Sequence, residues 1–508
     1  MLDGLVLFGR SLASFAEPAS LAYIALATLV GILIGALPGL TATMGVALLT
    51  TLTLKMQPNV ALLVLICAYV GAIYGGSRSA ILLNIPGTPA NAAACLDGFA
   101  LAQRGEAGRA IGISTTGSVV GTLIGMFFLA LFTPLLGEAA LKFGAYEFFW
   151  LALFGVIISG NLTGGDPLKG WLVGFLGLFI ASIGQDPIHA YERFAFGNRD
   201  LAGGFQLIPA LVGAFGFAEV LTVLSERYGR PSMREFGSHL PRLADVWRYR
   251  RTILRSGVIG TFVGVVPGVG EDVAAWSSYA AARRASAERE QFGKGSVEGL
   301  MAAETGDNAC VPGAIIPVLA LAVPGSAPAA VLMAAMIIHG VQPGPLIMVN
   351  SPQFVYDVVA MMLFATIGIL VFGLALVRPL LKILQIPREV IMPIVFVLCV
   401  IGAFAISQRL FDVWTMLGFG VAGFVLRRYG YPMAPFVLGI VLGDLLDKNL
   451  RRGLVLSDGD LTPFFTRPIS VVLAAICIAT ILMNFRFVRG AFGRGWTFAT
   501  SALARRSR

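Results

Sequence analysis

Pro38-Gly39, Pro86-Gly87, Pro267-Gly268 and Pro324-Gly325 each break a long apolar stretch, and hydroxyls follow three of them: Thr41 and Thr43, Thr88, and Ser326. A proline inside a helix removes a backbone donor and crowds the preceding turn, while the glycine after it tolerates left-handed dihedrals. In hydrocarbon the freed N–H and C=O groups need partners, so such breaks persist only against protein or a watery cavity. The chemistry on offer is ligand binding, without covalent change. A half-helix starting at Thr41-Ala42-Thr43 presents free N–H groups and a positive dipole end to a carboxylate. Carbonyls ending the preceding half-helix suit a sodium ion.

The breaks come in matched pairs. Residues 31–41 (GILIGALPGLT) and 260–270 (GTFVGVVPGVG) align Gly31, Gly35, Pro38 and Gly39 with Gly260, Gly264, Pro267 and Gly268 at one constant offset. Leu82–Ala93 (LLNIPGTPANAA) corresponds in the same way to Leu319–Ala330 (LALAVPGSAPAA), and each looks like the tip of a re-entrant hairpin. The interval between breaks is longer in the second half, where the polar stretch 283–299 reads as an insertion. A lone Pro-Gly is more often a kink tuning helix packing. Interrupted apolar segments at corresponding positions of two halves instead point to a transporter's binding site.

The candidate substrate-binding residues are therefore Pro38, Gly39, Thr41, Thr43, Asn84, Gly87, Thr88, Gly268, Gly270, Pro324, Gly325 and Ser326. Arg78 joins them as a countercharge for an anion, with a snorkelling arginine at a helix end as the alternative. Asn84, Asp307 and Asn308 are the candidates for a coupling cation, sodium or a proton, while Glu304 is expected in an interfacial loop. Glu271-Asp272 read as helix-start caps, His339 as a hydrogen-bonded structural histidine, and Asp444 and Asp447 as partners of Lys448, Arg451 or Arg452. No nucleophile–histidine–acid pattern, metal-ligand spacing or phosphate loop is present, so no enzyme and no cofactor is expected.

The elements that position these residues must be membrane helices. The chain is 57% hydrophobic and only 13% charged, with a mean hydropathy of +0.82, too little polar surface to cover a soluble fold of 508 residues. Apolar stretches approaching the roughly 20 residues of a bilayer span recur along it: Leu21–Gly35, Gly112–Leu136, Phe148–Gly160, Trp171–Ile183 and Leu207–Leu224, then Phe354–Val377, Val390–Ile406, Val413–Leu426, Pro435–Leu446 and Pro468–Met483. The start lacks a signal-peptide pattern, Asp3 preceding any apolar core and Arg10 being the only early basic residue. Five scattered cysteines read as buried small side chains.

The net charge of +9 is gathered in residues 225–255 and in the tail, which makes these cytoplasmic orientation signals and argues against nucleic acid. The expected fold is an all-α polytopic membrane protein of two repeats with discontinuous helices. Residues 1–224 form the first repeat, 225–255 a basic cytoplasmic connector, 256–484 the second repeat with additional helices, and 485–508 a basic cytoplasmic tail. The first break is entered from a segment poor in positive charge and its mate from the basic connector, which favours an inverted repeat.

At these residues the chain resembles the large permease subunit of the tripartite tricarboxylate transporters, the TctA family. The stretches that carry the resemblance include GALPGLTATMGVALL, YGGSRSAILLNIPGTPANAAACLDGFALAQRGEAGRA, GQDPIHAYERFAFG, FGKGSVEGLMAAE, VPGSAPAAVLMAAMIIHGVQPGP and LGDLLDKNLRRGLVLSDGD, in the family's order. The resemblance implies a bacterial inner-membrane secondary transporter that imports carboxylates on an ion gradient. It also implies two partners, a small integral-membrane subunit and a periplasmic solute-binding protein. The competing readings are an ion-coupled carrier of another organic anion acting without partners, a passive anion channel, and an intramembrane lipid-processing enzyme; scattered His and Cys argue against the last.

Overall fold

Apolar runs without a 3.6-residue polar stripe must be covered by other helices or by lipid, and both occur here. The computed structural model describes residues 2–482 apart from Pro38, 163–165, Pro187, 226–242, 378 and 380–387. Most of the basic connector and the basic tail lie outside the described residues, as does Pro38.

The first half contains α1 (Leu2–Phe15), α2 (Pro18–Ala36), α3 (Ala42–Thr53), α4 (Pro58–Leu83), α5 (Ala107–Ala140), α6 (Ala145–Leu162), α7 (Pro167–Ala181) and α8 (Leu207–Ser225). The second contains α9 (Arg250–Val265), α10 (Gly270–Ala285), α11 (Val297–Leu321), α12 (Ala327–Ile338), α13 (Pro352–Ala375), α14 (Arg388–Ser407), α15 (Leu410–Arg428), α16 (Met433–Leu456) and α17 (Pro468–Leu482). Among the described residues, seven helices are long and apolar enough to cross a membrane, α2, α4, α5, α8 and α13–α15.

Small residues decide which helices meet. Gly31 and Gly35 of α2 rest on the backbones of Ala68 and Ala72 of α4, so these two helices run parallel in close contact. Gly260 and Gly264 of α9 rest in the same way on the backbones of Gly306 and Cys310 of α11. The match extends to the helix ends. Asn84 closes α4 at φ 56° and Ala322 closes α11 at φ 55°, both left-handed. Gly87 then donates to the carbonyl of Gly76 at 3.3 Å, and Gly325 to that of Ala314 at 3.2 Å.

α4 and α11 form the centre. α4 is buried continuously from Ala61 to Ile81 and α11 from Glu298 to Ala320, so neither has a lipid face. They run antiparallel, since Ser77 of α4 meets Glu304 of α11 whereas Tyr69 lies by Ser326, beyond the other end of α11. Neither was among the spans expected from hydropathy. Ser77-Arg78-Ser79 near the end of α4 and Glu304-Thr305-Gly306-Asp307-Asn308 within α11 are polar stretches that lipid would reject and that neighbouring side chains satisfy in part. Glu304, expected in an interfacial loop, is fully buried in mid-helix for that reason.

Helices are exchanged between the halves. α5 packs along α11 and α9 of the second half, with Gly121 against Thr305 and Gly125 against Ala309, while α13 packs on α2 and α4 of the first. Outside this central body, Gly213 of α8 sits on the backbone of Met416 of α15, and Gly439 of α16 on that of Gly174 of α7. One flanking group thus joins α8 to α14 and α15, the other α6 and α7 to α16.

The remaining polar contacts tie down connections. A two-stranded hairpin pairs Gly184 with Arg193, and Asp186, Arg193, Asp447 and Arg451 fasten it to α16 through ion pairs of 2.7–4.0 Å. The Asp447–Arg451 pair at 2.9 Å is one expected from sequence. The extra segment of the second half folds around Asp97 of the first. One oxygen of this fully buried carboxylate accepts the N–H groups of Gly293, Gly295 and Ser296 at 2.7–2.8 Å, and the other accepts the Tyr279 hydroxyl at 2.8 Å. Asp97→Ala strands these donors at about 1–3 kcal/mol each. The expected result is protease cleavage near Gly293 that the wild-type protein resists, scored by limited proteolysis in detergent.

Candidate substrate and cation sites

Two break regions from each half meet at one cavity of about 510 Å³. Gly39, Thr41 and Thr43 line it from the first break, Gly87 and Thr88 from the second, and Gly268 and Gly270 from the third. The fourth contributes Ala327 and Pro328, the residues just after Ser326. Three helices begin at this wall. Thr41 caps α3 by accepting the Met44 N–H at 3.2 Å, and Ser326 caps α12 by accepting that of Ala329 at 3.4 Å. α10 starts at Gly270, with Glu271 and Asp272 in its first turn. Gly39 takes φ 97°, and a side chain there would strike the Glu219 carboxylate, so only glycine fits.

Not every candidate residue faces the cavity. Gly325 is buried behind it, between the carbonyl of Gly264 and the backbone of Ala314. The carbonyls of Pro324 and Gly325 accept the N–H groups of Gly268 and Gly270, both at 3.2 Å, which occupies those two amides structurally. Asn84 is exposed at the left-handed end of α4 and takes no part in the hydrogen bonds around Asp307. Arg78 is the clearest departure. It is 1% exposed and absent from the cavity wall, with its guanidinium 4.4 Å from the centre of the Tyr74 ring and donating to Thr115 at 2.9 Å. Its charge faces that of Glu304, not an incoming anion.

The wall also holds Glu219 and Arg427, which carry no local sequence signal, and Glu271, read from sequence as a helix-start cap. Arg427 of α15 donates to Glu219 of α8 at 2.8 Å, from a position 208 residues away. Glu271 accepts a hydrogen bond from Tyr69 of α4, whose hydroxyl lies 2.9 Å from Ser326 Oγ. His339 stands at the end of α12, its Nε2 3.3 Å from the Thr53 hydroxyl.

From the cavity a chain of hydrogen bonds runs inward. Thr88 donates to Asn91 Oδ1 at 2.6 Å, and Asn91 Nδ2 donates to Asp307 at 3.2 Å and to Ser77 at 2.9 Å. Ser77 and Ser118 donate to Glu304 at 2.8 and 3.2 Å, and Asn308 Nδ2 donates to Asp307 at 2.6 Å. Among the described residues, Glu304 Oε1 and Asn308 Oδ1 remain buried without a hydrogen-bond partner. With both carboxylates ionised, this cluster carries one negative charge more than Arg78 offsets. No group of three or more His, Cys, Asp or Glu side chains is placed to hold a metal ion among the described residues.

A polytopic helical protein whose helix breaks converge on one cavity is built as a membrane permease. The chain belongs to the tripartite tricarboxylate transporter TctA family, whose model matches residues 21–438. Proteins of this family are transporters and not enzymes. The chain is 34% identical over 473 residues to an uncharacterized 52.8 kDa protein of the TAR-I ttuC′ 3′ region of Agrobacterium vitis, covering 92% of this chain and 93% of that protein. It is 33% identical over 224 residues to an uncharacterized protein of the TAR-II ttuC′ 3′ region of the same organism, 44% of this chain and 93% of that one. No solved structure matches significantly.

Proposed function

We propose that this chain is the large permease subunit of a binding-protein-dependent secondary transporter, importing tricarboxylates or related small carboxylates across the bacterial inner membrane. A periplasmic solute-binding protein delivers the substrate, and a small integral-membrane subunit completes the complex. The observation that carries this reading is the convergence of all four break regions on one cavity. The starts of α3 and α12, the hydroxyls of Thr41 and Thr43, and the Arg427 guanidinium supply donors and positive potential for carboxylates. Arg427 offsets the charge of Glu219, while Tyr69 holds Glu271 by a hydrogen bond.

The Asp307–Asn308–Glu304 cluster takes the coupling cation, sodium or a proton, which neutralises its uncompensated charge. Thr88 and Asn91 connect that event to the cavity. The duplicated glycine contacts, and the antiparallel course of α4 and α11, support two inverted repeats, residues 1–224 and 256–484, joined by the connector 225–255 and followed by the tail 485–508. Buried polar bonds between the halves hold the central body together, so alternating access moves it against the flanking helices that present Phe215, Glu219 and Arg427.

Thr88→Ala and Ser326→Ala test the site. Each removes a hydroxyl that orders a break, and Thr88→Ala leaves the buried Asn91 carbonyl unpaired at about 1–3 kcal/mol. Uptake of labelled carboxylate into vesicles supplied with the binding protein is expected to be lost in both, with membrane insertion intact. Normal transport by both variants would refute the cavity as the substrate site. Accumulation against a gradient, abolished by an ionophore, distinguishes a coupled carrier from a channel.

A further inference from the structure

A second cavity, of about 500 Å³, opens at the far end of α10. Trp276 and Leu96, 43% and 41% exposed, form its apolar side together with Tyr279, and Arg283, Arg284 and Arg289 form its other side. All three arginines are exposed, and none makes an ion pair among the described residues. Acidic groups of the same region are engaged elsewhere: Asp97 by three backbone amides, Glu288 by Arg248, and Glu298 by Thr252 and Ser286. Exposed Glu290, next to Arg289, forms no ion pair with these arginines among the described residues, so three arginines outnumber the adjacent free carboxylate and leave the groove net positive.

Its depth in the membrane follows from helix geometry. α10 begins at the central cavity, and Arg283 lies thirteen residues beyond Gly270, roughly 20 Å along the helix at 1.5 Å per residue. Half of a hydrocarbon core is about 15 Å, so the arginines reach the headgroup layer while Trp276, about 9 Å along the helix, stays within the hydrocarbon. The same end carries Arg248, which pairs with Glu288, and Arg250 and Arg251 at the start of α9, the excess of positive charge that marks a cytoplasmic face.

We propose that this groove binds an anionic phospholipid: the arginines grip the phosphodiester, and Trp276, Tyr279 and Leu96 pack against the glycerol and upper acyl chain. Guanidinium forks suit phosphate oxygens, and the aromatic wall excludes a fully hydrated ion. A lipid held there fixes the outer end of the helix whose inner end brings Glu271 and Asp272 to the substrate cavity.

The full chain is purified in detergent, and lipid retention is followed by native mass spectrometry with phosphatidylglycerol, phosphatidylcholine and inorganic phosphate as probes. Wild-type protein is expected to retain phosphatidylglycerol in preference to phosphatidylcholine. R283Q/R284Q, which changes only exposed side chains, should weaken that retention roughly thirtyfold, in line with about 1 kcal/mol per basic residue at an anionic surface. W276A, which leaves every charge in place, should weaken it several-fold. Wild-type retention by both variants, equal retention of phosphatidylcholine, or displacement of phosphatidylglycerol by millimolar inorganic phosphate would each overturn the proposal.

Discussion

Asp307→Asn is expected to uncouple transport while leaving the protein folded. The substitution removes one of two buried carboxylates, so Glu304 and Arg78 remain as a balanced pair, and it keeps an oxygen for the Asn91 donor. It gives up the hydrogen bond from Asn308, whose Nδ2 keeps Ser118 and the Glu304 carbonyl as acceptors. Accumulation driven by a sodium or pH gradient should fall roughly 5- to 150-fold, the range spanned by coupling free energies of about 1–3 kcal/mol. Substrate exchange at equal concentrations should survive. The control is Arg78→Ala, which leaves both carboxylates uncompensated in the interior. Removing one partner of a buried charge cluster costs about 3–5 kcal/mol, so this variant should be lost from the membrane. Vesicle uptake with imposed gradients, alongside quantitative blotting, reads both outcomes. Gradient-driven accumulation by Asp307→Asn at the wild-type level would remove the cation from this cluster.

Gly87→Ala and Gly325→Ala should fail together. Neither glycine has a positive φ, so the objection to alanine is space alone. A Cβ on Gly87 would fall on the Gly35 carbonyl and 2.6 Å from Cα of Gly76; on Gly325 it would fall on the Gly264 carbonyl and 2.7 Å from Cα of Ala314. Backbone atoms of two packed helices cannot step aside as a flexible side chain does. Overpacking of this kind costs about 1–3 kcal/mol or more. Both variants should elute as aggregate on fluorescence-detected size exclusion or show clearly lower melting temperatures, by similar amounts. A well-behaved Gly325→Ala beside a collapsed Gly87→Ala would contradict the equivalence of the two halves.

The legible parts of this protein were those written in local chemistry. Pro-Gly followed by a hydroxyl is a backbone instruction, and the Thr41 and Ser326 caps formed where the residues required. Hydropathy marked helices that keep a lipid-facing side, such as α13 and α14. It passed over α11, because polar residues in an apolar window look like an edge until their partners are known; α4 is apolar enough to span yet was left out of the expected spans. The partner is remote in each case: Ser77 for Glu304, Asn91 for Asp307, Thr115 for Arg78. Arg78 in particular carries no local mark separating a substrate countercharge from a buried counterion. The Glu219–Arg427 pair on the cavity wall was invisible for the same reason, since only the packing of α8 on α15 brings it together.

The exchange of α5 and α13 between the halves also bears on how the protein is made. Neither half covers its own α4 or α11 alone, so the first half enters the bilayer with Ser77 and Arg78 of α4 lacking their eventual neighbours. At about 5–20 residues per second, the rest of the chain follows over roughly 15–60 s. Glu304 is made roughly 4–16 s after residue 224, and until then Arg78 and Ser77 lie in a membrane without it. Nascent α4 therefore needs the shelter of the insertion machinery, or a delayed exit from it, until α11 emerges.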